Sequence, residues 1–381
     1  MIAKNNYYSY NYQELPKGCQ YCVRGEKLVL FVTGLCPRKC YFCPLSDAKY
    51  GNDVTFANER KVTQFEDTII EAELMQAKGA GITGGDPLVK IDRTIENIKR
   101  LKQKYGKEFH IHLYTSLLLV TEQNLELLFE AGLDEIRFHP DLEKKQYWDK
   151  IKLAKKYSWD IGIEIPLLNH KEKELLELIE FIKDKVHFIV FNELEIADNK
   201  LSKLGEMGYK PKDKLSYAIQ DSLELGKRLL KHIEKNNYKI AAHLCTAKLK
   251  DAVQLSNRIK REAKFSKKSF DIVDEEGLLL RGAIYLPELT PGMSYRKKLA
   301  EIKEKNQDEY NKKLQKMIAC ITEKLPLKEH EYFVDQQKLR IILSAQQIKK
   351  LSKKIKELGY NCAIVREYPT ADQLEMEVEL L

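Results

Sequence analysis

The strongest constraint on the fold is a repeated alternation of apolar, β-branched runs with helical patterns. Candidate strands occupy residues 28–33, 81–83, 109–115, 135–139, 161–166, 188–191 and 239–242. Helical spacing covers 64–78, 91–105, 123–132, 143–157 and 171–184. Strand–helix repetition predicts an α/β protein whose parallel sheet is joined by right-handed crossovers. Such sheets take their ligands at the carboxyl ends of the strands. That rule selects Thr115, Ser116, Arg137, His139, Glu164, Asn192 and Glu193, each of which also reads as an ordinary polar strand end beside solvent. A 43% hydrophobic content supports a folded core and excludes a disordered chain. No apolar run approaches the ~18–20 residues of a membrane span. The opening MIAKNNYYSYNYQ lacks the apolar centre of a signal peptide. The expectation is a cytoplasmic protein with no membrane partner, built from one large domain and something smaller.

Thiols in that compartment stay reduced, so clustered cysteines read as metal ligands or catalytic groups. Five of the eight cysteines lie within 25 residues. Cys36, Cys40 and Cys43 share one short loop, opened by Gly34 and Pro37 after the strand at 28–33. Their spacing can turn three thiolates inward around one corner of an iron–sulfur cubane. A [4Fe–4S] cluster is normally held by four thiolates, so three nearby ligands leave one iron open to a small molecule. A plain zinc loop is the alternative. A second short strand ends in Gly84-Gly85-Asp86-Pro87, 41 residues beyond Cys43. Glycines suit a turn whose backbone must approach a ligand closely.

The CxxxCxxC loop, with Phe42 just before Cys43, and the Gly84–Pro87 turn resemble two motifs of the radical S-adenosylmethionine (radical SAM) superfamily. The resemblance covers roughly residues 27–245. The second motif usually reads Gly-Gly-Glu-Pro, and Asp86 is one methylene shorter. The resemblance implies a partial (β/α)6 barrel. It implies a [4Fe–4S] cluster on Cys36, Cys40 and Cys43, with S-adenosyl-L-methionine (SAM) bound at the open iron through its amino and carboxylate groups. The turn of Gly84, Gly85, Asp86 and Pro87 would receive the methionine amino group. Ser116, Arg137 and Glu164 are candidates to touch SAM from the strand ends, and Phe42 lies beside the cluster. An electron from a ferredoxin- or flavodoxin-type donor would split SAM into methionine and a 5′-deoxyadenosyl radical that takes hydrogen from a substrate. The chemistry is the cofactor's, and the protein orients it and excludes water. At whole-chain level the sequence resembles archaeal-type radical SAM proteins related to pyruvate formate-lyase activating enzymes.

Cys19 and Cys22 form a separate CxxC flanked by Gly18 and Gly25. Such a turn presents two thiolates to one metal, and a tetrahedral site needs further ligands. Cys245, with His243 beside it, is the best distant partner, because a rolled sheet can bring its first and last strands together. The set could hold zinc or a second iron–sulfur cluster, act as a redox thiol pair, or stay unliganded. Cys320 and Cys362 read as buried thiols.

The formal net charge is +8, and residues 248–268 alone carry +6. The stretch reads as a helix, with Leu249, Ala252, Val253, Ile259 and Ala263 on one face. A positive helix beside a catalytic mouth suits RNA, most plainly tRNA, and a solvated basic face is the bland alternative. Further along come a hairpin at 270–273 and 278–285, a long helix at 295–325, and elements at 339–343, 345–358, 361–367 and 373–380. The last four suggest a small ferredoxin-like α+β module. The expected divisions are an N-terminal extension, 1–26; the barrel, 27–263; a connector, 264–325; and the module, 326–381. RNA modification is the first functional expectation. The alternatives are an activase acting on a protein glycine, a small-molecule or cofactor-biosynthesis enzyme, and a cluster-bearing binding protein that never cleaves SAM.

Overall fold

The apolar runs become seven parallel strands: Lys27–Phe31, Gly79–Thr83, His110–Ser116, Glu135–His139, Asp160–Pro166, Phe188–Asn192 and Ala241–Cys245. In the computed structural model, which describes residues 2–381, these core strands lie side by side in chain order. Antiparallel pieces extend both edges of the sheet. Tyr10–Tyr12 pairs with the seventh core strand, and Phe56–Ala57 pairs with the first. The six-unit expectation therefore becomes seven parallel strands with six helical crossovers. Five crossovers are α-helical: Phe65–Leu74, Ile91–Tyr105, Glu122–Glu130, Glu172–Ile182 and Ser222–Lys235. The remaining one, Lys145–Lys156, fourth in chain order, is a 3-10 run. Its buried residues Trp148, Ile151 and Ala154 recur every third position, the period that a 3-10 helix places on one face.

Alternation sorts the strand residues between two faces. One set packs under the crossover helices, including Leu28, Leu30, Ile82, Ile111, Leu113, Ile136, Phe138, Ile163 and Leu244. The other set faces inward and is polar: Lys27, His110, His112, Tyr114, Glu135, Arg137, Glu164 and His243. The helix Lys17–Val23 packs against this inner face. Gly18 N donates to Glu135 Oε2 at 3.1 Å. A Cβ on Gly18 would lie 2.5 Å from an Arg137 nitrogen and 2.6 Å from His112 Nδ1, so only glycine permits that approach. Residues 2–26 of the expected extension, 1–26, are thus built into the first unit, which runs to Arg258; Met1 lies outside the described residues.

The second unit is Ile259–Leu381. Its antiparallel sheet runs in the order Tyr332–Asp335, Arg340–Leu343, Leu279–Tyr285, Asn361–Glu367, Glu375–Leu380. Leu279–Tyr285, expected in a connector, is its central strand. The supposed connector and module share one core, joined by Leu299, Ile302, Leu314, Met317 and Ile321 from the helices Tyr295–Lys305 and Gln307–Lys324. Cys362 is buried in that core, as expected, and Cys320 is only half-buried.

The basic stretch is not one continuous α-helix. It divides into Ala247–Leu249, a π-helical turn Lys250–Leu255, and Ser256–Ser266. Several of its charges are engaged. Lys248 lies over the Tyr8 ring at 4.1 Å, Lys250 pairs with Glu195, and Arg258 makes a two-pronged pair with Glu59 at 2.6 and 2.8 Å. Lys268 lies over the Phe333 ring at 3.8 Å. Among the described residues, no helix is long and apolar enough to cross a membrane.

Candidate active site

The carboxyl ends of the core strands converge on one cavity of about 430 Å3. The loop after the first strand contributes Cys36, Phe42, Cys40 and Cys43. The second strand leads into Gly84 and Gly85, and the third ends in Thr115 and Ser116. His139, Glu164, Asn192 and Glu193 come from the next three strand ends. Lys250, beyond the seventh strand, and Glu195 complete the wall.

Hydrogen bonds join the two sequence motifs into one piece. Gly85 N donates to the Thr33 carbonyl at 2.7 Å, and Asp86 N to the Leu35 carbonyl at 2.9 Å. A Cβ on Gly85 would sit 2.4 Å from that Leu35 oxygen, and one on Gly84 would sit 2.4 Å from the Thr33 oxygen. The glycines therefore let the turn press against the stem of the cysteine loop. Below the loop, Asp53 accepts from Thr33 Oγ1 at 2.9 Å and from Arg93 at 2.7 and 3.1 Å. Above it, Asn199 Nδ2 donates to the Cys43 and Leu45 carbonyls at 2.9 and 2.8 Å. Burial pushes the Cys36 thiol up to about 11, opposed by the Arg38 backbone N–H, and burial also raises Cys40 and Cys43. Such thiols give up their protons on binding metal.

Four of the residues expected to meet SAM, Asp86, Ser116, Pro87 and Arg137, are engaged by or buried among protein groups. Asp86 is 1% exposed, and its carboxylate accepts from Ser116 N at 3.0 Å, Ser116 Oγ at 2.7 Å, Thr115 Oγ1 at 2.8 Å and Leu88 N at 3.1 Å. It brackets the second and third strand ends instead of facing the cavity. Its short side chain suits that local role, and the Ser116 hydroxyl is used up in it. Pro87 is buried at the start of a 3-10 turn, Pro87–Lys90. Arg137 lies beneath the cavity, with Nε 2.5 Å from Glu135 Oε1 and Nη1 2.7 Å from Glu164 Oε2. It positions Glu164, which also accepts from Asn192 Nδ2 at 2.9 Å.

His139 lines the cavity, and its Nδ1 donates to the Glu164 carbonyl at 3.1 Å. Burial, then Arg38, holds the ring down to about 3, so it is neutral near pH 7. Glu195, Lys250 and Asn199 were missed as site residues. Lys250 was legible only as one charge in a basic run, and Asn199 sits in an irregular stretch with no motif. The expected gathering of Cys19 and Cys245 does occur, in one buried group with Val23, Phe188, Val190 and Leu249.

The radical SAM superfamily profile matches residues 30–164, the segment that holds the cysteine loop, the glycine turn and Glu164. A Methanocaldococcus jannaschii protein provisionally named a glycyl-radical enzyme activating enzyme is 38% identical over 97% of this chain and 94% of its own length. The chain belongs to the radical SAM superfamily. The solved structures it resembles are more distant. The anSMEcpe protein with bound AdoMet and a Cp18Cys peptide is 16% identical, with 57% of this chain and 62% of that one covered, at a TM-score of 0.39. Methylornithine synthase is 14% identical, with 61% and 79% covered, also at 0.39. Membership implies an enzyme that uses a [4Fe–4S] cluster and SAM, and the residues fit that chemistry. Three half-buried thiols share one wall of a cavity that also presents backbone, carboxylate and amide groups.

Proposed function

We propose that this radical SAM enzyme activates a partner protein by taking hydrogen from a backbone glycine. Cys36, Cys40 and Cys43 would hold the cluster, which supplies the electron that splits SAM. Gly84 and Gly85 present backbone to the methionine end, and Glu164, held by Arg137 and Asn192, offers a fixed acceptor deeper in the cavity. His139 offers a neutral ring at the rim. The convergence of the cysteine loop, the glycine turn and Glu164 on one cavity carries the SAM-cleavage part of this reading. The name of the 38% identical relative supports the protein glycine as substrate. An RNA substrate has less support, because Lys250 and Arg258 of the basic run are already paired with Glu195 and Glu59. Zinc is not needed at Cys36, Cys40 and Cys43. A ferredoxin- or flavodoxin-type protein is the expected electron donor.

The test is anaerobic. Reconstituted protein, reduced in the presence of SAM, should release 5′-deoxyadenosine. With a partner captured from source extract, it should also leave a glycyl radical visible by EPR on that partner. SAM cleavage stimulated by an RNA or metabolite fraction, with no radical on any protein, would overturn the activase reading and leave the cleavage chemistry standing.

A further inference from the structure

Two cysteines outside the cluster loop, Cys19 and Cys245, meet on the inner face of the sheet, and a third lies one helical turn away. Cys19 and Cys22 lie one turn apart on the helix Lys17–Val23. Cys19 is buried against Phe188, Val190 and Cys245. Cys22 lies within electrostatic reach of both Cys19 and Cys245. His243 shares the inward side of its strand with Cys245 and stands level with Val190. It is 1% exposed, and neither ring nitrogen has a hydrogen-bond partner; the nearby Tyr10 carbonyl lies outside bonding geometry.

Packing alone explains a buried cysteine, which behaves as a small hydrophobe. It does not explain an imidazole deprived of both partners, because buried polar groups in folded proteins are paired with protein, water or an ion. Three thiols and that imidazole form a soft donor set of the kind that binds thiophilic metals. Arg137 beside Cys19 and Lys250 beside Cys245 supply positive charge to offset thiolates.

The spacing favours a cluster over a single ion. Thiolates about 2.3 Å from one zinc stand about 3.8 Å apart. No three of these four donors lie mutually within 4.8 Å, and the same holds for Cys36, Cys40 and Cys43. Neither triad is drawn in as tightly as the donors of a single tetrahedral ion would be. We propose that Cys19, Cys22 and Cys245, with His243, hold a second iron–sulfur cluster beneath the SAM cavity.

Full-length protein is reconstituted anaerobically with iron and sulfide. Wild type should hold about eight iron per chain, and protein carrying Cys36→Ala, Cys40→Ala and Cys43→Ala about four. Adding Cys19→Ser and Cys22→Ser to that variant should remove the remainder. A second measurement needs no variant. In reduced wild type, SAM should shift one EPR cluster signal and leave another unmoved. Only about four iron with a single SAM-sensitive signal, zinc in place of the second iron centre, or an iron count indifferent to Cys19 and Cys22 would overturn the proposal. None of these outcomes touches the radical SAM assignment, which is tested separately through Cys40.

Discussion

Each unit of the molecule buries an arginine in a carboxylate network, and the two networks serve different ends. In the second unit, Arg340 is fully buried and reaches Asp335 at 2.8 Å and Glu367 at 2.7 and 2.8 Å, with Arg281 on the same Glu367 at 3.1 Å. Every carboxylate there is itself buried, so the network only specifies packing. In the first unit, Arg137 is equally buried, and one partner, Glu135, is consumed by it and by Gly18 N. The other partner, Glu164, keeps a face on the cavity. Side chains of one kind thus become structural where every partner is enclosed, and functional where one partner is left with an open side. A buried ion pair adds little net stability, but removing one partner leaves a costly uncompensated charge.

The largest effect should come from outside both networks. Cys40→Ala should abolish reductive SAM cleavage and shed about four iron per chain, with little change in melting temperature. Retained cleavage would break the reading of the first unit altogether. Glu367→Gln should destabilise the second unit by about 3–5 kcal/mol in chemical denaturation, and SAM cleavage per folded molecule should stay at the wild-type level. A loss of cleavage in folded Glu367→Gln protein would show that its network is not merely structural. Glu164→Gln should reverse that pattern. SAM binding measured by calorimetry should weaken by about 10- to 100-fold, from the loss of ~1.5–3 kcal/mol of charge-assisted bonding, with a smaller stability change than in Glu367→Gln. The smallest effect is a pH slope. Burial holds Lys27, on the inner face, down to about 7, with Nζ donating to the His110 carbonyl at 2.8 Å. Its folded pKa lies below its unfolded value, so between about pH 7 and 10 the unfolded chain binds more protons and this group's contribution to stability rises with pH. Wild type should gain on Lys27→Met across that window by at most about 1.4 kcal/mol per pH unit. A pH-independent difference would show that Lys27 stays charged in the fold.

Legibility followed distance along the chain. The cysteine loop and the glycine turn were readable because each compresses its chemistry into a few adjacent residues. The core strands were readable from β-branched runs, although the fourth crossover hid its 3-10 geometry behind a pattern also compatible with an α-helix. Asp86 and Arg137 were read from position alone. Position at a strand end brought them near the cavity, but competing partners decided where their charges pointed. Ser116, Thr115 and Leu88 claimed the first, and Glu135 and Glu164 the second. Lys250 escaped notice because its role depends on a π-helical turn that aims it at Glu195.

By itself, the sequence determined a parallel α/β sheet with a cluster-binding loop and a glycine turn at its carboxyl edge, because strand periodicity and motif spacing are local properties. Tertiary structure alone decided which polar groups remain free to meet a ligand. It also decided that the C-terminal hairpin strand is the centre of a second sheet, and that Lys250 and Arg258 of the basic run are committed to carboxylates. Those outcomes depend on which partners distant segments bring together, and a buried charge or donor is committed to whichever partner reaches it first in the folded state.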